Sequence, residues 1–236
     1  LTGLDDASVG RLQQQAEQMS QTMDETGLRV TQSASEIMEA YKLVGSAKPE
    51  LLAVKEDLNK VTIEAIRLSQ AAGIDLNQAV TAVTTSMNQF GASANETDRY
   101  VNVLAAGSKV GAVAVENINE AVLKSGVAAS QAGLKIEELV GAIETIGERG
   151  LQGGDAGTGL KNVFLTLSQG ADDTNPKIVG MQQALENLKA KNLSTAEMVQ
   201  MFGKNAYNVA SILVDSTDAF AISRSEERRV GKECRS

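Results

Sequence analysis

Histidine is missing from this chain of 236 residues, tryptophan is missing too, and cysteine occurs once. Without histidine the commonest general base and the commonest metal ligand are gone. Cys234 has no second cysteine to pair with, so the chain neither needs nor indicates an oxidising compartment. Aromatic residues make up 3% of the chain and proline occurs twice. A core must therefore be built from Ala, Val, Leu, Ile and Met, which suits closely packed helices better than a β-sandwich. Positive charge is also short: 22 Lys and Arg against 30 Asp and Glu leave a net charge of -8. That balance argues against sequence-independent nucleic-acid binding, which needs a basic surface. No apolar run has the length of a membrane span, and no signal peptide is visible.

What is present is periodic. Hydrophobic residues make up 42% of the chain, enough for one large or two small domains. Val9, Leu12, Ala16, Met19 and Met23 alternate in threes and fours, which predicts a short heptad-like helix from Ala7 to Glu25, capped by Asp5 or Asp6 and stopped by Gly27. It is either packed on its own domain or the end of an upstream coiled coil. The chain starts at Leu1, in what reads as mid-helix, so an internal fragment of a longer protein is expected.

Ser33 and Glu36 form a capping box for a helix bearing Ile37, Met38, Tyr41 and Val44 and ended by Gly45. Pro49 suits the first turn of the next, whose stripe is Leu51, Val54, Leu58, Val61, Ala65 and Leu68 and whose stop is Gly73. Asp75 and Gln78 cap a helix with Val80, Val83, Met87 and Phe90 inward and Gly91 as its stop. Ser93 and Glu96 cap another, with Tyr100, Val101 and Leu104 inward, followed by a link from Gly107 to Glu116. Ile118, Ala121, Val122 and Ser125 then line a helix closed at Gly133. Pro176 opens a helix with Met181, Leu185 and Leu188 inward. Ser194 and Glu197 cap one carrying Met198, Val199, Met201 and Phe202, and Gly203 breaks it before Tyr207, Val209, Ile212 and Leu213.

The pattern recurs at an offset of 60 residues. Gly73 falls on Gly133, Val80 on Val140, Val83 on Ile143, Tyr100 on Leu160 and Leu104 on Phe164. A three-helix unit over 49–108 thus repeats over 109–169, and each copy offers an apolar face that a neighbour can cover. The fold class expected is all-α, a multi-helix bundle with this pseudo-repeat.

The densest signal is Gly133–Gly170, GLKIEELVGAIETIGERGLQGGDAGTGLKNVFLTLSQG. Leu139, Ala142, Ile143 and Ile146 share one helical face, and Leu160, Phe164 and Leu167 share another. Gly147, Gly150, Gly153, Gly154, Gly157 and Gly159 fall between them, which predicts a tight backbone reversal or a close approach of helices. Gly154, Gly159 and Lys161 almost spell a phosphate-binding loop. The reading fails because Leu160 stands where the lysine belongs, Asn162 is not Ser or Thr, and the preceding segment is helical rather than a strand.

The same stretch resembles the tail tape measure proteins of long-tailed phages and prophages. Their turn reads Gly-φ-x-Gly-x-x-Ala-Gly-Thr-x-Leu followed by Lys or Arg, with φ apolar. Gly150, Leu151, Gly153, Ala156, Gly157, Thr158, Leu160 and Lys161 match it position by position. Asp155 and Gly159 replace a Glu or Gln and an Ala. "AIRLSQAAGIDLNQAVTAVTTSMNQFG", "INEAVLKSGVAASQAG" and "MFGKNAYNVASIL" extend the resemblance over Ser33 to Leu213. It implies a structural protein that sets tail length during assembly and leaves ahead of the DNA at infection. Implied partners are the tail tube protein, tail assembly chaperones and tail-tip proteins, with self-association open. Implied locations are the virion tail and, during assembly, the host cytoplasm. The eight residues Gly150, Gly153, Gly154, Ala156, Gly157, Thr158, Leu160 and Lys161 are read as a structural motif; catalytic, metal and cofactor sites are not expected.

The domain expectation is 1–32 an N-terminal helix, 33–222 the helical core region and 223–236 a tail of foreign character. That tail, with RSEERRVGKECRS at its end, mixes five basic and three acidic residues without amphipathic period. It resembles a translated sequencing or vector scar. An enzyme is not expected. Glu137 and Glu138 are neighbours about 100° apart on a helix, too divergent for a catalytic pair, and Asp172 and Asp173 read as a solvated loop. A membrane-active role finds acidic and Gln-rich polar faces where basic ones are favoured. The remaining alternative is a generic helical interaction module without a phage role.

Overall fold

A computed structural model of the chain describes residues 6–21, 32–110 and 113–217. The expected residues Asp5, Met23 and Gly27 and the tail beyond 217, with Cys234, lie outside the described residues. Among the described residues the chain forms eleven α-helices and no strand. The all-α expectation holds. The helices fall into two compact units, Leu1–Asn88 with Ala92–Val101, and Gln89–Gly91 with Asn102–Ser236.

In the first unit, α1 (Asp6–Gln21) packs on α2 (Ala34–Ala47), and α2 on α3 (Lys55–Ala72). Leu12 and Ala16 of α1 are fully buried, so the seam faces its own unit. The capping box opens α2 as expected: the Ser33 N–H donates to Glu36 Oε2 at 2.7 Å, and the Glu36 N–H donates to Ser33 Oγ at 3.3 Å. The Ser33 hydroxyl also donates to Glu36 Oε2 at 2.7 Å, and this bond, with that from the Ser33 N–H, holds the Glu36 carboxyl below its ordinary range.

Two expectations fail at the next corner. Gly45 does not end α2; it is buried inside the helix, which runs on to Ala47. Pro49 sets the break, because the residue before a proline is driven out of helical conformation, and Lys48 adopts φ -134°. Nor does Pro49 open a long helix. It begins a 3-10 turn, Pro49–Ala53, and extended Val54 separates that turn from α3 and stands 43% exposed. The rest of the stripe is buried: Leu51 in the 3-10 turn, and Leu58, Val61, Ala65 and Leu68, fully, on α3.

Gly73 closes α3 in left-handed conformation (φ 67°), with the Ile74 N–H donating to Ser69 O at 3.1 Å, a glycine C-cap. α4 (Leu76–Phe90) starts at Asp75, whose Oδ1 accepts from the Asn77 N–H at 2.8 Å, and Gly91 follows it at φ 67°. Val80, Val83 and Met87 are buried, while Phe90 is only half-buried. Ser93 and Glu96 cap as expected, through a single 3-10 turn that leads into α5 (Thr97–Val110).

Tyr41 on α2 is the largest fully buried side chain of this unit. Its hydroxyl donates to Asn59 Oδ1, with Met19 Sδ 3.3 Å away. Burial pushes its pKa up to about 12. A phenol raised above its ordinary value near about 10 supports the fold fully below that pH and ceases to do so as pH climbs through the folded value. An alkaline absorbance titration is therefore expected to show a tyrosinate step near pH 12, and loss of helicity in the same interval. Tyr41→Phe deletes the step; if the step persists in that variant, the assignment is wrong.

The second unit holds the end of α5 and α6 (Val115–Gln131), α7 (Ile136–Gly147), α8 (Gly153–Ser168), α9 (Pro176–Val179), α10 (Met181–Ala190) and α11 (Thr195–Asp215). The expected link at Gly107 is helical to Val110. A Cβ at Gly107 would lie 2.8 Å from Val140 Cγ1, so this glycine permits a close approach instead of ending a helix. Pro176 begins α9, but Gly180 (φ 83°) breaks the expected single helix before α10. Gly203, at φ 76°, kinks α11 where a break is expected.

The 60-residue offset reappears in the elements. α3 begins at Lys55 and α6 at Val115; α4 begins at Leu76 and α7 at Ile136. Gly133 (φ 82°) closes α6 as Gly73 closes α3, with the Leu134 N–H donating to Ala129 O at 3.0 Å. In the third pair, Tyr100 and Leu160, Val103 and Val163, and Leu104 and Phe164 are all buried.

Candidate functional site

The glycine-rich stretch joins α7 to α8, and most of its glycines are not in the turn. α7 carries Leu139, Val140, Ala142, Ile143 and Ile146 fully buried, with Gly147 in its last turn. Gly147 has no room for a side chain because the Val113 side chain occupies that space. The chain reverses over Glu148, Arg149 and Gly150, which takes φ 84°, and the Leu151 N–H donates to Ile146 O at 3.2 Å. Gly153, at φ 61°, is the first residue of α8. Gly154, Gly157 and Gly159 lie inside α8, not between the helices.

Two of the glycines inside α8 face different neighbours. A Cβ at Gly157 would stand 2.5 Å from Ala121 O and 2.7 Å from Ala121 Cα, both backbone atoms of α6. A Cβ at Gly159 would meet the Val209 side chain of α11. Residues two apart on a helix point about 200° apart. α8 therefore touches α6 on one side and α11 on the other, through one glycine each, and glycine's helix cost of about 1 kcal/mol is offset by the packing that close approach allows. Gly154 has nothing within 4 Å of its Cβ position.

The other motif residues sort by face. Ala156 and Leu160 are fully buried. Thr158 is exposed and donates from Oγ1 to Gly154 O at 2.8 Å, and Lys161 is exposed. Two residues of α6 that the sequence reading passes over complete the start of α8. Glu120 Oε2 accepts from the Gly154 N–H at 3.2 Å, and Asn117 Nδ2 donates to Gln152 Oε1 at 2.9 Å. A carboxylate at a helix N-terminus interacts favourably with the dipole. Here it also stands where a nucleotide phosphate would have to bind, and α7 replaces the required strand. No local pattern marks Glu120, because its partner lies 34 residues away.

Glu138 caps α7, accepting from the Lys135 N–H at 2.9 Å. Asp173 sits in a 3-10 turn and pairs with Lys191 at 2.9 Å. In the first unit, Glu64 is 7% exposed on α3 and lies 2.7 Å from Arg67 one turn on. Burial raises its pKa and the guanidinium partly offsets this. Among the described residues no three or more His, Cys, Asp or Glu residues are placed to hold a metal ion, and no helix is long and apolar enough to cross a membrane.

No curated protein and no solved structure matches the chain. Residues 13–228 match the family model of the phage-related minor tail proteins. That span takes in the second half of α1, all of α2 to α11 and the α7–α8 turn, and the chain belongs to the phage-related minor tail protein family.

Proposed function

We propose that this chain is the helical core segment of a tail tape measure protein, part of a longer ruler that sets tail length during assembly. The reading is carried by the α7–α8 turn. Five of the eight positions that match the tape measure pattern have little freedom to vary: Gly150 at φ 84°, Gly153 at φ 61°, fully buried Ala156 and Leu160, and Gly157 against the α6 backbone; of the other three, Thr158 and Lys161 are exposed. On this reading the eight motif residues shape a helix pair and hold no ligand. Residues 33–222 are the core region, 1–32 hold an N-terminal helix, and 223–236 are foreign to the protein. Tube subunits, assembly chaperones and tip proteins are its partners, in the host cytoplasm during assembly and then in the virion tail. The role is structural, and release ahead of the DNA follows from it.

A tape measure sets length by residue count. Removing about 100 residues of heptad sequence in frame from the parent gene is expected to shorten tails by about 150 Å, at the helical rise of about 1.5 Å per residue. Electron micrographs of the progeny give the measurement. Tails of unchanged length would leave a tail protein without a ruler role.

A further inference from the structure

We propose that α9 and α10 are two halves of one helix, held bent by a latch at Asp173, and that Gly180 is the hinge at which it straightens. The halves meet at a single residue. The Gly180 N–H donates to Pro176 O at 2.9 Å, and Gly180 O accepts from the Ala184 N–H at 3.0 Å, so helical bonding runs up to the glycine on one side and onward from it on the other. Between the two, Gly180 adopts φ 83° and ψ 156°, a conformation open in practice to glycine alone. Turning this one residue to helical φ and ψ brings the N–H groups of Met181, Gln182 and Gln183 to the carbonyls of Lys177, Ile178 and Val179, three bonds that the bend precludes.

The local signals belong to the longer helix. α9 has four residues, yet it carries a full helix start: Asn175 Oδ1 accepts from the Lys177 N–H at 3.0 Å, and Pro176 takes the first turn. α10 opens on Gly180, which has no side chain to cap it. Nor does Gly180 close α9 as Gly73 closes α3, where ψ is 31° and the glycine is left-handed. Ile178, Met181, Leu185 and Leu188 are spaced by three, four and three, and on a straight helix they share an arc of about 80°. In the bent form Met181, Leu185 and Leu188 are buried and Ile178 is 59% exposed. The break therefore strands the member of the stripe that lies before it. Gly203 breaks α11 in the same conformation, but Phe202 and Ala206 on either side of it are buried, so that bend satisfies its own stripe.

The bend is held by contacts that a straight helix cannot make. Asn187 Nδ2 donates to Asp173 O at 2.6 Å, and Lys191 Nζ lies 2.9 Å from Asp173 Oδ2, so α10 doubles back along the 3-10 turn Asp172–Thr174. On a straight helix Asn187 stands about 18 Å beyond Asn175, while the two residues from Asp173 to Asn175 span at most about 7 Å. Straightening breaks both contacts and exposes Thr174 and Pro176, now buried, which keeps the bent form in the majority for the chain on its own. The ion pair is solvent-accessible on both sides, so it is a weak latch open to a competing charge. A contact that engages Asp173 or Lys191 shifts the balance and lengthens the segment. The device serves a tail protein with or without a ruler role.

The test is a distance. Nitroxide labels are placed on Asp172→Cys and Ala190→Cys in the full chain carrying Cys234→Ser, and pulsed electron paramagnetic resonance gives the distribution. The bent form is expected to give one short distance. Gly180→Ala strains the bend and favours helix, and is expected to raise a population longer by about 10 Å or more at least about tenfold. Lys191→Glu, which leaves the glycine in place, is expected to move the distribution the same way, and Asp173→Lys added to it is expected to restore the short distance. Far-UV circular dichroism accompanies each variant. A short distance retained in Gly180→Ala or in Lys191→Glu, or a lengthening that comes only with loss of overall helix, overturns the proposal.

Discussion

Gly157→Ala destabilises the protein, although alanine is the better helix former. The new methyl would stand 2.5 Å from Ala121 O and 2.7 Å from Ala121 Cα, with Lys124 Cβ at 2.8 Å. Two of these are backbone atoms, which cannot rotate away as a side-chain tip can. α6 and α8 must separate, and the buried faces of both lose contact. Overpacking of this kind costs about 1–3 kcal/mol and this site lies at the upper end; the helix propensity gain returns about 1 kcal/mol. A net loss of about 2 kcal/mol lowers the melting temperature of a chain this size by about 4–8 °C. Gly154→Ala is the control, three residues away in the same helix with open space at its Cβ position. It is expected to gain about 0.5 kcal/mol, so the two variants shift in opposite directions. Equal shifts by calorimetry would mean that α6 and α8 do not meet closely at Gly157.

Phe164→Ala has the larger effect. Phe164 is fully buried on α8, among the largest such side chains, in a chain with four phenylalanines and no tryptophan. Truncation to alanine costs about 3–5 kcal/mol through lost transfer energy and the residual cavity. Phe164→Leu keeps most of the volume and costs about 1.5 kcal/mol or less. Urea unfolding followed by circular dichroism reads both variants. Similar midpoints for the two would show that the site collapses around the smaller side chain, and the cavity argument would fail.

The glycines show how far a local reading reaches. Gly73, Gly91, Gly133 and Gly203 are read correctly as stops or breaks, and all four have positive φ. Gly45, Gly107, Gly157 and Gly159 give the same signal in the sequence and sit inside helices. A stop glycine answers to carbonyls a few residues back in its own chain. A packing glycine answers to a backbone or side chain tens of residues away, as Gly157 does to Ala121 and Gly159 to Val209. Gly180 and Val54 err in the opposite sense: each interrupts a helix that the apolar period carries straight through.

The sequence by itself determined the all-α class, the serine caps at Ser33, Ser93 and Ser194, the glycine closures and the 60-residue recurrence. Each rests on interactions within a turn or two of helix, which a linear pattern records. Only the tertiary structure decided that α8 touches both α6 and α11 through opposite glycines, that Glu120 holds the start of α8, and that Leu123 and Val127 on α6 stay exposed. These depend on which helices become neighbours in space, and residues that meet across helices need share no spacing in the chain.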